Sequence, residues 1–293
     1  MGEVWAIVVT RNRRELLSGC LAALDAQEHA PDRVLVVDNA SGDGTPDMVR
    51  AEHPSVELLS LEVNEGGAGG FHEGMKRAHG GGAEWLWLMD DDTVPEPGAL
   101  SELLAAAGRL GSAPGFLASR ALWRDGRVHP MNALWPDRTR AALAVESAER
   151  RVMPVRSATF VSLLVHRGAV DRHGLPRKEF FVWSDDIEYT SRIVLAGEGG
   201  YLVPSSRVLH DTPDPHTAAT AEPERFYLHV RNTMLIALAP GRPPRDRLVR
   251  LWVLVTTVAG YLRARPTVAA VAATTRGLRD ATRHTLREKS SGG

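Results

Sequence analysis

The chain has 293 residues, of which 43% are apolar, enough for the core of one large α/β domain or of two smaller ones. A formal net charge of −1 argues against a nucleic-acid-binding protein that relies on a global positive field. The single cysteine, Cys20, excludes an intramolecular disulfide framework and a multi-cysteine zinc site, and it favours a reducing compartment.

The first ninety residues alternate between predicted strands and predicted helices. Four apolar runs have the length and composition of buried strands: residues 4–10, 33–38, 56–61 and 85–89. Three helices are predicted between these runs. Residues 14–27 have helical spacing, Thr45 can cap the second helix, and the third helix ends at about His79. This βαβ order predicts a mostly parallel sheet with helices on both faces and a ligand at the carboxyl ends of the strands.

The pattern weakens between residues 114 and 151, which suggests loops and short strands that shape a pocket. Residues 155–166 then fit either a helix or a strand. Residues 201–210 predict a strand that ends in His210, and residues 225–238 predict a helix.

The C-terminal part is rich in arginine and apolar residues, which is typical of basic amphipathic helices. Its longest apolar stretch, residues 251–262, is shorter than the ~20 residues that span a bilayer, and no signal peptide is expected at the N-terminus. We therefore expect an α/β domain over residues 1–240, followed over residues 241–293 by basic helices and a disordered tail. The expected location is the cytoplasm, including the inner face of the plasma membrane.

Three consecutive carboxylates, Asp90, Asp91 and Asp92, end the apolar run LWLMDDD. Clustering like charges at the end of a buried strand costs folding energy, so we expect a bound cation to match them. Mg²⁺ and Mn²⁺ prefer carboxylate oxygens and commonly bridge a protein to substrate phosphates, and His210 could complete the metal shell. The alternatives are a solvated turn of helix-capping acids and a purely structural histidine.

A glycine-rich segment, NEGGAGG at residues 64–70, resembles a loop that cradles phosphate with its backbone N–H groups. It lacks the lysine and the serine or threonine of a Walker motif and follows the third strand, so neither the ATPase nor the dinucleotide fingerprint fits. A flexible loop is the other interpretation. Asp38, at the end of the second strand, could accept a hydrogen bond from a nucleobase or form an Asx-turn.

A second acidic pair, Asp185 and Asp186, follows an aromatic stretch far along the chain. The second half of residues 180–197 has helical spacing, which places the pair near a helix N-terminus, where negative charge is favoured. One of these carboxylates could take a proton from an acceptor hydroxyl as a general base. Plain helix capping is the alternative.

Six motifs, taken in order, resemble the inverting glycosyltransferases of family 2, which have the GT-A fold: VVTRNRRELL, VVDNASGDGT, NEGGAGGF, LMDDD, FFVWSDDIEY and VLH. The resemblance covers roughly residues 4–232. It is closest to the actinobacterial galactofuranosyltransferases, chiefly because of residues 64–71 and the aspartate triplet. It implies a GT-A catalytic domain of α/β class, a nucleotide-sugar donor, Mn²⁺ or Mg²⁺, and a glycan or polyprenyl-linked glycolipid acceptor.

The resemblance also implies roles for individual residues. Asp92 and His210 would hold the metal on the diphosphate, and Asp185 would deprotonate the acceptor. Relatives carry a tryptophan directly before the paired acids, where this chain has Ser184, so the base is Asp185 or Asp186, and the spacing to the following residues favours Asp185. The residues implied in donor-nucleotide binding are Thr10, Arg11, Asp38, Asn64, Gly69, Gly70, Asp90 and Asp91.

Several alternatives remain open at the level of sequence. The favoured donor is UDP-galactofuranose, and dTDP-rhamnose is the runner-up. A sugar nucleotidyltransferase would use an arginine-bearing loop, for which Arg11, Arg13 and Arg14 are present, whereas the two acidic motifs argue against a non-catalytic sugar-binding module. The basic C-terminal region would suit contact with an anionic membrane, or would pack on the catalytic domain or on another subunit.

Overall fold

The computed structural model describes residues 2–132, 134–136, 141–214 and 218–291, and the chain forms two compact units. The first unit comprises Met1–Glu179 and Asp186–Pro213, and the second comprises Phe180–Asp185 and Asp214–Gly293. The domain boundary predicted after residue 240 stays a prediction. The last two residues of the predicted tail lie outside the described residues.

The strands of the first unit are β1 (Val4–Thr10), β2 (Arg33–Asp38), β3 (Glu57–Ser60), β4 (Trp85–Asp90), β5 (Thr93–Pro95), β6 (Phe116–Leu122), β7 (Trp135–Pro136), β8 (Met153–Ser157), β9 (Leu163–His166) and β10 (Gly200–His210). Its helices are α1 (Arg14–Asp25), α2 (Thr45–Glu52), α3 (Gly66–Gly80), α4 (Ala99–Leu110), α5 (Ala141–Glu149), α6 (Arg167–His173) and α7 (Asp185–Leu195), the last of which begins with a residue of the second unit. The α/β class predicted from the sequence is confirmed.

The sheet is mixed, and among the described strands its order is β3-β2-β1-β4-β9-β6-β10-β8-β7, with β5 paired to β10. Strands β1 to β4 are parallel, as the βαβ pattern predicts, and β6 is parallel to β10. Strand β9 is antiparallel to both of its neighbours and joins the two parallel parts.

Strand β1 is buried on both faces, as expected for the interior of a helix-covered sheet. Because successive side chains point to opposite faces, Val8 packs in the cluster that contains residues of α1 and α4. Ile7 packs in a second cluster, with Phe71 and Met75 of α3. Burial on both faces fixes the position of the strand's carboxyl end.

Two sequence predictions of local structure were wrong. The glycine-rich segment is not a loop through residue 70, because α3 already begins at Gly66. Residues 114–151 are not only loops and short strands, because they contain α5. Residues 155–166, whose sequence fits either a helix or a strand, contribute to the two strands β8 and β9.

The second unit contains α8 (Pro223–Leu238), α9 (Pro244–Ala264) and α10 (Val268–Ser291), together with the short segment at residues 180–185 and the 3-10 turn Ala218–Thr220. Its core contains the stacked rings of Phe226 and Tyr261, whose centroids lie 3.5 Å apart. None of the helices in the described part of the chain is long and apolar enough to cross a membrane.

Candidate active site

The carboxyl ends of three neighbouring strands bring polar residues to one edge of the sheet. Thr10 lies opposite Asp38 in the β1–β2 register, and Val9 lies opposite Asp90 in the β1–β4 register. Thr10 and Asp38 are almost fully buried, with 2% and 1% of their surface exposed. The predicted ligand-binding edge therefore consists of polar side chains in a largely buried setting.

His210 reaches this edge through the pairing of β10 with β5. In the antiparallel register His210 lies opposite Thr93, and the backbone N–H of Asp211 donates a 2.8 Å hydrogen bond to the carbonyl oxygen of Asp92. The strand after the aspartate triplet thus holds the triplet against a histidine that is more than a hundred positions away in the chain.

Asp90, Asp92 and His210 form a cluster with the composition of a metal site. Each of the three residues offers one ligand atom, and these atoms all lie within 4.8 Å of one another. Asp92 and His210 are buried, and Asp90 is half-buried. Two carboxylates and an imidazole suit Mn²⁺ or Mg²⁺.

The protonation pattern of His210 tests whether a cation fits. Its Nδ1 lies 2.7 Å from the side-chain oxygen of Asn132, which can only accept, so Nδ1 carries a hydrogen. In the neutral ring, Nε2 then presents its lone pair to Oδ1 of Asp92 at 3.3 Å, an oxygen that is buried and has no hydrogen-bond partner. Two lone pairs at this distance repel each other unless a proton or a metal ion lies between them, so the residues fit a bound cation.

Arg13 anchors the other side of the triplet. Its guanidinium lies 3.1 Å from Oδ1 of Asp91 and 2.8 Å from Oδ2 of Asp92. Burial alone would lower the pKa of Arg13, but the charges of the two aspartates raise it above its ordinary value. The arginine leaves Oδ1 of Asp92 available to a ligand.

Asp91 is held inside the protein rather than presented to solvent. Thr10 donates a 2.8 Å hydrogen bond to its Oδ2, and it is 3% exposed. Burial raises the pKa of Asp91 to about 6, against the opposing effect of Arg13. The charge of Asp92 also raises it. Burial would raise the pKa of Asp92, but Arg13 and a proton between Nε2 of His210 and Oδ1 outweigh it and hold the pKa of this carboxyl below its ordinary value.

A second histidine, His129, packs on His210 with ring centroids 4.5 Å apart. The backbone N–H of Met131 donates to its Nδ1, and its Nε2 lies 2.8 Å from the hydroxyl of Thr212. Burial, and then the neighbouring His210, lower the pKa of His129 to about 4, so its ring is neutral at pH 7. It therefore supports the ring of His210 without adding charge.

Asp38 carries an unpaired polar atom at the end of β2. Its Oδ2 accepts a 3.2 Å hydrogen bond from the backbone N–H of Ser41, as an Asx-turn would, whereas its Oδ1 is buried and has no partner. A buried carboxylate oxygen without a donor is costly and is ready to accept a hydrogen bond from a ligand. Both sequence interpretations of Asp38 are thus compatible with its environment. Arg11, which follows Thr10, is exposed.

The glycine-rich motif forms the N-terminal turns of α3. Asn64 accepts a 3.0 Å hydrogen bond from the backbone N–H of Gly66, and Asn39 bridges Glu65 and Gly66 through its side-chain amide. A Cβ atom at Gly70 would lie 2.5 Å from Cγ1 of Val9, so this glycine lets α3 approach β1 closely. A helix N-terminus can also receive an anion, because its first N–H groups have no partner in the helix.

The acidic pair occupies the first two positions of α7, near a helix N-terminus as the sequence predicts. Asp185 belongs to the second unit and is 7% exposed, whereas Asp186 belongs to the first unit and is half-buried. Burial raises the pKa of Asp186 to about 6, although its bond from the N–H of Ile187 lowers it. A carboxyl with this pKa can accept a proton near neutral pH.

Three of the four residues before the pair have a strained backbone. Phe181, Trp183 and Ser184 have φ angles of 65°, 69° and 67°, in the left-handed region that favours glycine. The side-chain amide of Asn232, which is fully buried, donates to three carbonyl oxygens of this segment, at 2.8 to 3.1 Å: those of Phe180, Val182 and Trp183. Strain of this kind persists only where surrounding contacts impose it.

Comparison with known proteins places this site in a family. The family model described as "Glycosyl transferase family 2" matches residues 5–140, which contain the aspartate triplet. Galactofuranosyltransferase GlfT1 of Mycolicibacterium smegmatis is 32% identical over 212 residues, which span 66% of this chain and 66% of that protein. The chain belongs to glycosyltransferase family 2.

Other family members are similar over more of the chain. GlfT1 of Mycobacterium tuberculosis is 29% identical over 85% of this chain and 86% of its own length. N-acetylglucosaminyl-diphospho-decaprenol L-rhamnosyltransferase of the same organism is 27% identical over 78% of this chain and 84% of its own length.

Solved structures with the GT-A fold superpose on the chain. Staphylococcus aureus TarS, solved with UDP-GlcNAc, has a TM-score of 0.67 at 15% identity, covering 95% of this chain and 80% of that one. The mannosyltransferase PcManGT of Pyrobaculum calidifontis, solved with GDP-Man and Mn²⁺, has a TM-score of 0.59 at 20% identity. The superposition covers 98% of this chain and 88% of that one. The predicted GT-A fold of this family 2 enzyme is confirmed.

Sequence reasoning assigned no site role to four residues that contact the candidate site or hold its neighbours: Asn39, His129, Asn132 and Asn232. The only role that the sequence predicts for Arg13 belongs to a competing enzyme class, the sugar nucleotidyltransferases. Each of these residues acts across a long separation, such as the 78 positions between Asn132 and His210. Asn39 and Arg13 lie inside the quoted motifs VVDNASGDGT and VVTRNRRELL, whereas His129, Asn132 and Asn232 lie outside every quoted motif.

Proposed function

We propose that this family 2 enzyme is an inverting, metal-dependent galactofuranosyltransferase. It would move galactofuranose from UDP-galactofuranose to a hydroxyl of a glycan or of a polyprenyl-linked glycolipid. The observation that carries the proposal is the cluster of Asp90, Asp92 and His210, in which Nε2 of His210 lies 3.3 Å from a buried carboxylate oxygen of Asp92. Such a cluster, at the carboxyl edge of an α/β sheet, suits a nucleoside diphosphate with its divalent cation.

In this proposal the first unit binds the donor nucleotide. The free Oδ1 of Asp38 accepts a hydrogen bond from the base, and the first N–H groups of α3 lie at a helix N-terminus suited to anions. Asp90 contacts the ribose or shares in the metal shell. Thr10 acts through Asp91, whose Oδ2 it holds, while Arg11, Asn64, Gly69 and Gly70 border the bound nucleotide.

Asp92 and His210 would hold Mn²⁺ or Mg²⁺, with Asp90 beside them. When bound, the cation supplies positive charge that stabilises the diphosphate as it leaves. Asn132 fixes the ring orientation of His210, and Arg13 keeps Asp92 ionised by its charge.

The acceptor hydroxyl requires a base on the opposite side of the anomeric carbon. We assign this role to the pair Asp185 and Asp186, and Asp186 suits it by its pKa of about 6. The base takes the hydroxyl proton, the acceptor oxygen forms the new bond to the anomeric carbon, and the bond to the nucleoside diphosphate breaks. Attack opposite the leaving group inverts the configuration at that carbon.

The donor sugar is proposed from the relatives. Two GlfT1 proteins, named as galactofuranosyltransferases, are 32% and 29% identical to this chain. A rhamnosyltransferase at 27% identity supports a second candidate, transfer of rhamnose from dTDP-rhamnose. We further propose that the catalytic domain extends to residue 240 and works at the inner face of the plasma membrane, where a polyprenyl-linked acceptor lies.

Incubation of the purified chain with UDP-galactofuranose or dTDP-rhamnose, each with Mn²⁺ and a lipid-linked glycan acceptor, tests the donor assignment. We expect acceptor-dependent release of UDP and no release of dTDP. The first nucleotide should also raise the melting temperature of the protein, because a ligand that binds only the folded state stabilises it. Release of dTDP alone would assign the chain to the rhamnosyltransferases, and pyrophosphate formed from a sugar phosphate and a nucleoside triphosphate would make it a nucleotidyltransferase.

A further inference from the structure

Exposed apolar side chains concentrate on the two C-terminal helices. In the described part of the chain, six of the eleven large apolar side chains that face solvent lie in α9 or α10. Three of them are on α9: Leu248 is 68% exposed, Trp252 is 68% exposed and Val255 is 65% exposed. These helices therefore carry apolar surface that the described residues of the chain do not cover.

The three side chains of α9 form one strip along the helix. The spacings of four and three residues make them neighbours on the helix surface, within an arc of about 60°. Arg245 and Arg263 are both exposed. They lie eighteen residues apart, which is five helical turns, so they point in the same direction, close to that of the three apolar side chains. Arg245 lies before Leu248 and Arg263 lies after Val255. We call Arg245, Leu248, Trp252, Val255 and Arg263 the α9 strip.

The C-terminal region that carries the strip has a strongly positive net charge. Residues 241–293 contain ten arginines and one lysine but only three acidic residues, although the whole chain has a net charge of −1. The first 240 residues are therefore net negative. A basic helix with an exposed tryptophan, an apolar strip and flanking arginines has the composition of a helix that lies in a membrane interface.

We propose that the α9 strip docks the protein on the surface of an anionic lipid bilayer. Leu248, Trp252 and Val255 would enter the boundary between headgroups and acyl chains, while Arg245 and Arg263 contact lipid phosphates. Charge complementarity favours lipid over a second copy of the same face, because a symmetric pair would place these arginine-rich surfaces against each other. This docking does not depend on the proposed transfer reaction.

Flotation of the full chain with lipid vesicles tests the proposal. The wild-type protein should float with phosphatidylcholine vesicles that contain phosphatidylglycerol, should not float with pure phosphatidylcholine, and should be released by salt. The triple variant Leu248→Ser, Trp252→Ser, Val255→Ser should lose about tenfold or more of its vesicle affinity, because the apolar surface that enters the bilayer is gone. Circular dichroism should be unchanged, since all three side chains are exposed.

Matched variants separate the strip from general surface effects. Val255→Ser should weaken binding, whereas Val145→Ser on α5 should not, although the two valines are 65% and 64% exposed. A second comparison uses two double variants. Arg245→Glu with Arg263→Glu should weaken vesicle binding more than the control Arg50→Glu with Arg127→Glu. The side chains of Arg50 and Arg127 are 59% and 87% exposed. UDP release with a water-soluble acceptor should be the same in all these variants, which separates loss of docking from loss of catalysis.

Three results would overturn the proposal. One is wild-type protein that does not float with anionic vesicles. Another is a triple variant that floats as well as wild type. The third is a dimer, seen by sedimentation without lipid, that the triple variant abolishes, because the strip would then be an interface between two copies of the chain.

Discussion

Asp92 makes two different contacts with its two carboxylate oxygens. Oδ2 pairs with Arg13 at 2.8 Å, and the buried Oδ1 faces Nε2 of His210. The first contact keeps the carboxylate ionised, and the second leaves an oxygen and a nitrogen directed at the same point. Loss of this side chain should therefore affect cation binding more than folding.

We expect Asp92→Ala to weaken Mn²⁺-dependent binding of UDP by at least about tenfold, since removing even a group that only supports a metal ligand costs about this much. Titration calorimetry of UDP with and without Mn²⁺ measures the effect. The control is Asp47→Ala, whose side chain is 87% exposed. If UDP binding by Asp92→Ala responds to Mn²⁺ as strongly as in wild type, Asp92 is not a metal ligand.

The acidic pair should act on transfer and not on donor binding. We expect Asp186→Asn to retain affinity for the donor nucleotide but to lose transfer by about a hundredfold or more, a typical contribution of a general base. The same change at Asp185 tells which of the two is the base. In wild type, kcat should fall as the pH drops through about 6, because the raised pKa of Asp186 means that the carboxyl is protonated below that value and cannot accept a proton.

Asp91 also has a pKa of about 6, so donor affinity must be measured over the same pH range. A fall in kcat at constant donor affinity identifies the base. A kcat that is independent of pH between 5 and 7, or an active Asp186→Asn enzyme alongside an inactive Asp185→Asn enzyme, would exclude Asp186 as the base.

At the scale of elements, the N-terminal turns of helix α3 are built from a glycine-rich motif whose composition predicts a loop. Glycine is a poor helix former, so the segment at residues 64–70 has low helix propensity. Tertiary packing outweighs this cost, because Gly70 and Gly74 let α3 lie against Val9, Ile7 and Val37. The sequence pattern shows the glycines but does not show which neighbour requires them.

Two glycines of α3 offer a matched comparison. A Cβ at Gly70 would lie 2.5 Å from Val9, so we expect Gly70→Ala to lower the free energy of unfolding by about 1–3 kcal/mol through overpacking. A Cβ at Gly67 would meet nothing within 4 Å, so Gly67→Ala should raise it by about 0.5–1 kcal/mol. Urea denaturation measures both. Equal effects of the two substitutions would contradict close packing at Gly70.

The side-chain amide of Asn232 supports the segment before α7. We expect Asn232→Ala to lower the free energy of unfolding by about 1–3 kcal/mol, because it removes the side-chain donor to the carbonyl oxygens of Val182 and Trp183, whereas the carbonyl oxygen of Phe180 still accepts from Arg231. Asn232→Asp is the sharper variant, since an ionised carboxylate of nearly the same shape cannot donate. If Asn232→Asp is as stable as wild type in urea denaturation at pH 7, the amide does not impose the strained backbone.

Several elements could be predicted from sequence because their signals are local. The bounds of β1 and β2 match the apolar runs at residues 4–10 and 33–38, and α7 begins at the acidic pair. Contacts between distant residues gave no such signal. Nothing near Asn132 in the chain indicates that it bonds His210, and α5 lies in a region without clear periodicity.

At the scale of the whole molecule, the charges of opposite sign predominate in different parts of the chain. Its acidic residues predominate in the first 240 positions, which include the candidate metal site, and its arginines predominate in the last 53. Net charge near zero hides this division, which becomes visible only when the two parts are counted separately. The α9 strip extends the sequence prediction of a basic amphipathic region by naming the side chains that face solvent.

The stereochemistry of transfer tests the central claim most directly. Purified protein, UDP-galactofuranose, Mn²⁺ and a polyprenyl-linked glycan acceptor are combined, and the new linkage is examined by NMR. We predict a galactofuranosyl product whose anomeric configuration is opposite to that of the donor, formed with one UDP per bond and abolished by EDTA. A product with retained configuration, or one formed equally well in EDTA, would contradict direct displacement at a site that depends on Asp92 and His210.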